Sequence, residues 1–438
     1  MFSSLEEWLT YQERLHPRSI DLGLERVAAV LNRLGWIDPP PFLVITVAGT
    51  NGKGSCVATL EAILQIAGYH TATYTSPHLL RYNERIRLNG REANDEELCA
   101  AFTRIEAARG EISLTYFEYG TLAALDLFQR TRPDVVILEV GLGGRLDATN
   151  VLDADVAAVT TVDLDHMDWL GPDRESIGRE KAGVFRPGRP AVCGDPNPPV
   201  SLVEHAQTLG TPLYIQGRDF GWQSSFPYRG GSWDWWASLM KRQTNITEIV
   251  SRCSIPAPRM MGLYQYENAA TALMVLECLS HRLFIPTIAV RRALEEVAVP
   301  GRFQVLPGSV PHILDVAHNP QAAAALAATL HAMSWGNEGK GRGKTLAVVA
   351  MLADKDLFAT LGAMAGVVDA WFLASLCVPR GASAVRLAEV LADLGVTAPV
   401  GVYADVVAAL TVARTLATEG DRIVVFGSFY TVSAVQSA

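Results

Sequence analysis

The hydrophobic pattern alternates between short continuous apolar runs and longer stretches with an apolar residue every three or four positions. Phe42 to Val47 is apolar and β-branched throughout, and is too short to be a helix or a membrane span, so it reads as a buried strand. After a glycine-rich turn, Val57, Leu60, Ile63 and Leu64 recur at helical spacing. The same rhythm predicts strands over Thr71 to Thr75, Asp134 to Glu139 and Val156 to Val162, with helices over Glu96 to Arg109 and Tyr116 to Arg130 between them. Residues 1–40 read as two helices, the first with Leu5, Trp8 and Leu9 on one face. Strands alternating with helices predict a parallel α/β sheet, with a site above the strands' C-terminal ends.

Residues 195–260 are less regular, and 220–236, dense in Trp, Gly and Ser, read as a hairpin-bearing excursion with no assignable chemistry. Helices are predicted from about Asn268 to Leu283 and from Thr287 to Ala298. Val299-Pro300-Gly301-Arg302-Phe303 reads as a domain boundary, giving domains 1–299 and 300–438. Beyond it the pattern restarts: a strand from His312 to Val316, a helix from Gln321 to Met333 and a Gly/Lys/Arg-rich loop at 336–344. Strands follow at Thr345 to Ala350, Ala370 to Ala374 and Arg422 to Phe426. The predicted fold is a P-loop parallel-sheet ATPase domain followed by a smaller Rossmann-like α/β domain.

The turn after the first strand is Gly49-Thr50-Asn51-Gly52-Lys53-Gly54-Ser55. A strand, a glycine-rich turn and a helix N-terminus form a phosphate cradle, because backbone N–H groups converge and the helix dipole favours an anion. Lys53 can reach the terminal phosphates of a nucleoside triphosphate, and Ser55 can approach a magnesium ion. The spacing departs from the full Walker A pattern, since Lys53 lies four residues after Gly49 and Gly54 separates it from Ser55. Glu139, at the end of an apolar strand, is placed to bind magnesium directly or through water. His166 follows Asp165 in another strand-end loop; magnesium prefers oxygen, so on residue type alone it is the weaker ligand. Glycines 141, 143 and 144 allow close backbone approach to a ligand. Asp315-Val-Ala-His318-Asn319-Pro320 closes a strand of the second domain, with Asn319 suited to cap the next helix.

Bulk properties exclude some partners. A net charge of −9 argues against a nucleic-acid surface. No apolar run reaches membrane-span length, and Met1-Phe-Ser-Ser-Leu-Glu-Glu lacks a basic segment followed by an apolar one, so neither membrane association nor a signal peptide is expected. Six cysteines (56, 99, 193, 253, 278, 377) are scattered without a C-x-x-C pair, which suits free thiols in a reducing cytoplasm. Only six of the 37 basic residues are lysines, so each retained lysine is a candidate for amine chemistry.

Six ordered motifs carry a resemblance: residues 49–55, Thr-Ser-Pro-His-Leu (75–79), Leu-Glu-Val-Gly-Leu-Gly-Gly-Arg-Leu-Asp-Ala-Thr-Asn (138–150), Arg-Glu-Lys-Ala-Gly-Val-Phe (179–185), Pro-Gly-Arg-Phe (300–303) and Asp-Val-Ala-His-Asn-Pro (315–320). Together they are similar to the bifunctional dihydrofolate synthase/folylpolyglutamate synthase family of the Mur ligase superfamily, from Asp21-Leu-Gly-Leu-Glu-Arg26 to Gly427-Ser428. The resemblance implies an ATP- and magnesium-dependent ligase, with two magnesium ions, that joins L-glutamate to dihydropteroate and to reduced folates through an acyl phosphate. It implies that Gly49, Thr50, Asn51, Gly52, Lys53, Gly54 and Ser55 hold the phosphates. Ser76, Glu139 and His166 match magnesium ligands, and Lys181 matches a lysine that becomes carbamylated and serves the metal. Asn268, with Gln265 before it, matches the adenine side; Arg302, Asp315 and His318 complete the nucleotide site. Phe117, Asp147 and Ala148 match the pterin pocket, an aromatic face and a carboxylate for the ring's amino-amide edge. Lys53, Lys181 and His318 are the residues expected to act in catalysis. A cytoplasmic monomer is expected. Tyr430 departs from it, standing where histidine is expected. A cell-wall ligase acting on a UDP-sugar peptide, or a switch that hydrolyses ATP only to change partner, are the competing readings.

Overall fold

The computed structural model describes residues 2, 4–224, 231–241, 246–333 and 343–437. Their contacts divide into two units. One comprises residues up to 224, 232–257 and 267–297; the other comprises 258–266 and the chain from 298.

The first unit is built on an eight-stranded sheet. Its order is Arg91–Glu92, Ile86–Leu88, Thr71–Tyr74, Val135–Glu139, Leu43–Ala48, Val156–Val159, Ala191–Cys193, Leu213–Ile215. The six strands from Thr71–Tyr74 to Leu213–Ile215 run parallel, and the first two close one edge antiparallel. Leu43–Ala48 is buried at every position between two parallel neighbours. That double burial is why it reads as a continuous apolar run rather than an alternation. In register, Val47 faces Glu139, Ala48 faces Val159 and Tyr74 faces Leu138, so four strands end together along one edge. Every loop named in the next subsection for this unit leaves from that edge.

The helices lie where their patterns put them. Leu5–Leu15 and Glu25–Arg33 form the expected N-terminal pair, and Trp8, Phe102 and Tyr119 meet in the core. Tyr116–Thr131 starts on a reciprocal cap: Glu118 N donates to Thr115 Oγ1 (3.2 Å), and Thr115 N donates to Glu118 Oε2 (2.7 Å). This cap fixes Phe117 in the helix's first turn.

Two expectations change. The strand predicted to run to Val162 stops at Val159: past Thr160 N, which still donates to Ala48 O, the Thr160 hydroxyl and Thr161 O bond to the glycine-rich turn. The helix expected from Asn268 runs over Leu263–Cys278. Its first turns carry the buried polar residues Gln265 and Asn268, which obscured the apolar period. The Trp-rich excursion is a three-stranded antiparallel sheet, Phe220–Gln223, Ser232–Lys241 and Ile246–Pro256, with Trp233 and Trp235 buried. Residues 225–230 of that excursion, and most of the loop at 336–344, lie outside the described residues.

The second unit holds a six-stranded sheet, ordered Gln304–Leu306, His312–Leu314, Arg422–Phe426, Thr345–Val349, Ala370–Ala374, Val400–Tyr403. All its neighbours pair in parallel except the first two strands. Gln304–Leu306 and Val400–Tyr403, both short edge strands, were not legible as apolar runs.

Candidate active site

The glycine-rich turn is clamped by the strand end beside it. Thr50 N donates to Thr161 O (2.7 Å), Asn51 N to Thr161 Oγ1 (3.2 Å) and Thr160 Oγ1 to Asn51 O (2.6 Å). Thr50 Oγ1 donates to Asp163 O (3.1 Å) and accepts from Asp163 N (3.0 Å). Two glycines are sterically required. A Cβ on Gly49 (φ 145°) would lie 1.9 Å from Thr160 Oγ1, and one on Gly52 (φ 86°) would lie 2.3 Å from Asn268 Oδ1. The second contact brings Asn268 against the turn. Gly52 precedes the helix Lys53–Ile66, and Lys53 Nζ donates to the carbonyls of Gly49 (3.0 Å) and Thr50 (3.3 Å). The result is a rigid loop with a cation folded over it and a buried hydroxyl, Ser55, one turn into the helix. The clamp from Thr160, Thr161 and Asp163 was not anticipated; its signal was the polar run directly after an apolar strand.

Glu139 is buried beside this helix. Burial first, with the Glu139 charge second, pushes the Cys56 thiol up to about 12. Glu139 Oε2 accepts from Ser76 N at 3.3 Å, which brings two of the expected magnesium ligands together. Among the described residues no three His, Cys, Asp or Glu side chains gather into a metal-binding group. His166 sits in a left-handed conformation (φ 52°) ahead of the short helix Met167–Leu170, with its N–H donating to Asp165 Oδ1 at 2.9 Å. Lys181, on Arg174–Ala182, is buried, and burial pulls its amine from 10.5 down to about 7. The charge of Lys53 acts in the same direction, while Asp165 and Asp147 oppose it. Lys181, Lys53 and Asp165 therefore share one electrostatic neighbourhood, a grouping in which Asp165 was not foreseen.

The loop after Glu139 is held from both sides. A Cβ on Gly144 would lie 2.8 Å from Glu180 O and 3.0 Å from Lys181 O, so the loop's backbone lies directly against the Lys181 helix. Arg145 N donates to Glu180 O (2.9 Å), and the Arg145 side chain pairs with Glu180 (2.9 Å). A Cβ on Gly141 would lie 2.6 Å from Phe117 Cζ, so the Phe117 ring rests on that glycine, with Tyr74 5.7 Å away on another side. Ala148 is buried at the start of Ala148–Val151. Asp147 is also buried, and its oxygens accept from Gly141 N (3.0 Å), Leu142 N (2.9 Å), Thr149 N (3.0 Å) and Thr149 Oγ1 (2.6 Å). Asp147 thereby organises the loop it sits in.

In the second unit, Asp315 follows the strand His312–Leu314 and accepts from Phe303 N and Ala317 N, both at 2.8 Å. Burial raises its carboxyl above the usual range, and the Arg302 guanidinium opposes that shift. Arg302 lies 5.6 Å over the Phe429 ring. His318 Nδ1 is 2.8 Å from Val316 O; a carbonyl only accepts, which assigns the proton to Nδ1. Arg302, Asp315 and His318 thus form one cluster, and Asn319 caps Pro320–Ala332 as its residue type suggested. Tyr430 is half exposed on Phe429–Gln436.

Two family models match the chain: the Mur ligase middle domain over residues 47–193 and the Mur ligase glutamate ligase domain over 301–429. The dihydrofolate synthase/folylpolyglutamate synthase of Escherichia coli (strain K12) is 48% identical over 434 residues, covering 99% of this chain and 95% of its own. A solved structure of E. coli FolC in complex with DHPP and ADP superposes with a TM-score of 0.89 at 46% identity, covering 99% of this chain and 97% of that one. A bifunctional folylpolyglutamate synthase/dihydrofolate synthase solved with Mn, AMPPNP and L-glutamate bound gives 0.87 at 47% identity, covering 99% and 98%. With relatives this similar along their whole length, the chain belongs to the dihydrofolate synthase/folylpolyglutamate synthase family of Mur ligases.

Proposed function

We infer that the chain is an ATP-dependent ligase that joins L-glutamate to dihydropteroate and to reduced folates, working in the cytoplasm as a monomer. One observation carries this reading. Glu139, bonded to Ser76 N, and Gly141, against the Phe117 ring, lie two residues apart at the end of one strand, which supports a metal site next to a pterin site. Membership of the family and its ligand-bound relatives support it. Among the described residues no helix is long and apolar enough to cross a membrane.

A carboxylate is a poor electrophile, so the acid is first phosphorylated by ATP to an acyl phosphate; the glutamate amine then attacks and phosphate leaves. The loop 49–55 binds the nucleotide's phosphates through its N–H groups, and Lys53 carries positive charge to the transferred phosphoryl. Asn268, beside Gly52, serves the nucleotide, and Arg302, Asp315 and His318 are the second unit's proposed nucleotide-binding residues. Magnesium prefers oxygen, keeps several waters and is held through one or two carboxylates plus phosphates. The buried Glu139 with Ser76 fits that requirement, and His166 and a carbamylated Lys181 would serve a second ion. When bound, the metal neutralises phosphate charge. Phe117 supplies the face on which the pterin stacks, Ala148 lines the pocket, and Asp147, which also holds the Gly141–Leu142 turn, offers its carboxylate to the ring's amino-amide edge.

ADP release, measured with each candidate acid with and without glutamate, tests the reading. A ligase of this specificity requires dihydropteroate or a reduced folate together with glutamate. Turnover with a UDP-sugar peptide, or with neither acceptor, overturns it. Phe117→Ala should raise KM for both pterin acids on the order of tenfold, the loss of one stacked ring, and leave KM for ATP unchanged; an effect on one acid alone contradicts a shared pocket. Gly141→Ala should reproduce that pattern, because a Cβ there displaces the Phe117 ring. Unchanged pterin-acid KM in Gly141→Ala would show that the ring's position is not critical.

A further inference from the structure

Arg85 closes the short turn Tyr82–Arg85 and is buried, yet it makes no ion pair among the described residues. Its Nε donates to His78 Nδ1 at 2.8 Å, and its guanidinium lies 5.4 Å from the Tyr82 ring centroid and 5.5 Å from that of Tyr116. Two aromatic faces and one imidazole recover only part of what it costs to bury a cation. The phenols near it can donate as well as accept. The Tyr74 and Tyr82 hydroxyls are buried without a hydrogen bond of normal geometry, that of Tyr74 lying near Thr121 and Arg85. Both converge on Gly120, where a Cβ would lie 2.8 Å from one and 2.7 Å from the other. A guanidinium beside two phenols with no carboxylate among them has the composition of an anion site, since buried polar groups in a finished core are paired.

Its place in the fold identifies the anion. Tyr74 contacts Phe117, and Tyr116 directly precedes it. Arg85 O accepts from Thr75 N at 2.8 Å, one residue before Ser76. The cluster therefore adjoins both the Phe117 pocket and the Ser76–Glu139 end, the two places that a pterin acid must span. We propose that Arg85, framed by Tyr74 and Tyr82, binds the carboxylate of the acceptor acid and holds it for phosphorylation. This rests on the reading of the chain as a pterin-acid ligase. A planar guanidinium can take both carboxylate oxygens at once, which a lysine cannot match.

Calorimetric binding of pteroic acid and of its carboxamide, without nucleotide, tests the assignment. Wild-type protein should prefer the acid by about tenfold or more, as expected for a charge-assisted pair. Arg85→Gln should bind both ligands alike, near the affinity of the amide, and Arg85→Lys should restore only part of the preference. If Arg85→Gln keeps the full preference for the acid, the proposal is wrong. Should that variant fail to fold, wild-type crystals with pteroic acid decide. A carboxylate oxygen within hydrogen-bonding distance of an Arg85 Nη supports the assignment, and a carboxylate held elsewhere overturns it. The underlying reading fails separately, if wild-type protein does not ligate glutamate to dihydropteroate.

Discussion

Lys53→Ala is expected to lower ligation of both acceptor acids by about a hundredfold or more, the scale on which loss of one preorganised charge is felt in a transition state. The loss should fall on kcat and persist at saturating ATP, because the charge serves the migrating phosphoryl more than the bound nucleotide. In the ligand-free fold Lys53 Nζ rests on the carbonyls of Gly49 and Thr50. The loop's other clamps, from Thr160, Thr161 and Asp163, do not involve it. Secondary structure and melting temperature should therefore change little. Lys53 also helps keep Lys181 neutral, so its removal raises the Lys181 pKa and lowers the fraction of free amine at neutral pH. Both consequences act against turnover. Unchanged kcat in Lys53→Ala at saturating ATP would remove the phosphate loop from the mechanism.

The parts of this site that were legible in the sequence are those in which residue type and chemistry coincide. Gly49, Gly52 and Lys53 announce a phosphate loop because the turn needs positive φ and the chemistry needs a cation. Glu139 stood out because a carboxylate at the end of an apolar strand has no reason to be apolar's neighbour except at a functional edge. The central strands were legible because burial on both faces makes them uniformly apolar. The edge strands Gln304–Leu306 and Val400–Tyr403 were not, since exposure on one side mixes their composition. Asp147 shows the other limit. Its bonds to Gly141, Leu142 and Thr149 depend on how a loop closes, which spacing does not encode. The same holds for Arg85, whose lack of an acidic partner becomes visible only when Tyr74, Tyr82 and Tyr116 are assembled around it.

Lys181→Arg should be nearly as damaging as Lys181→Ala, each costing about a hundredfold or more in kcat, again the scale of one lost transition-state charge. A carbamate forms when the lone pair of a neutral amine attacks carbon dioxide and a proton leaves to solvent, turning a cation into an anion with two oxygens. Arginine stays protonated and cannot follow. The fold favours the neutral amine: burial, reinforced by Lys53, brings Lys181 down to about 7, so much of it is unprotonated at neutral pH. The same shift makes a stability prediction in buffer free of carbon dioxide. Between about pH 7 and 10.5 the unfolded chain keeps a proton that the native chain has released, so raising the pH across that window should stabilise the native state. Wild type should show this rise and Lys181→Met should not. Enrichment with 13C-labelled carbon dioxide should add a carbonyl signal to wild type that is absent from both Lys181→Arg and Lys181→Ala. Short carboxylic acids should restore part of the activity of Lys181→Ala, where space for a free carboxylate exists, and none of that of Lys181→Arg. Near wild-type ligation by Lys181→Arg, or a wild-type protein active without any labelled carbonyl, would show that the amine itself, and not a carbamate, is what the site uses.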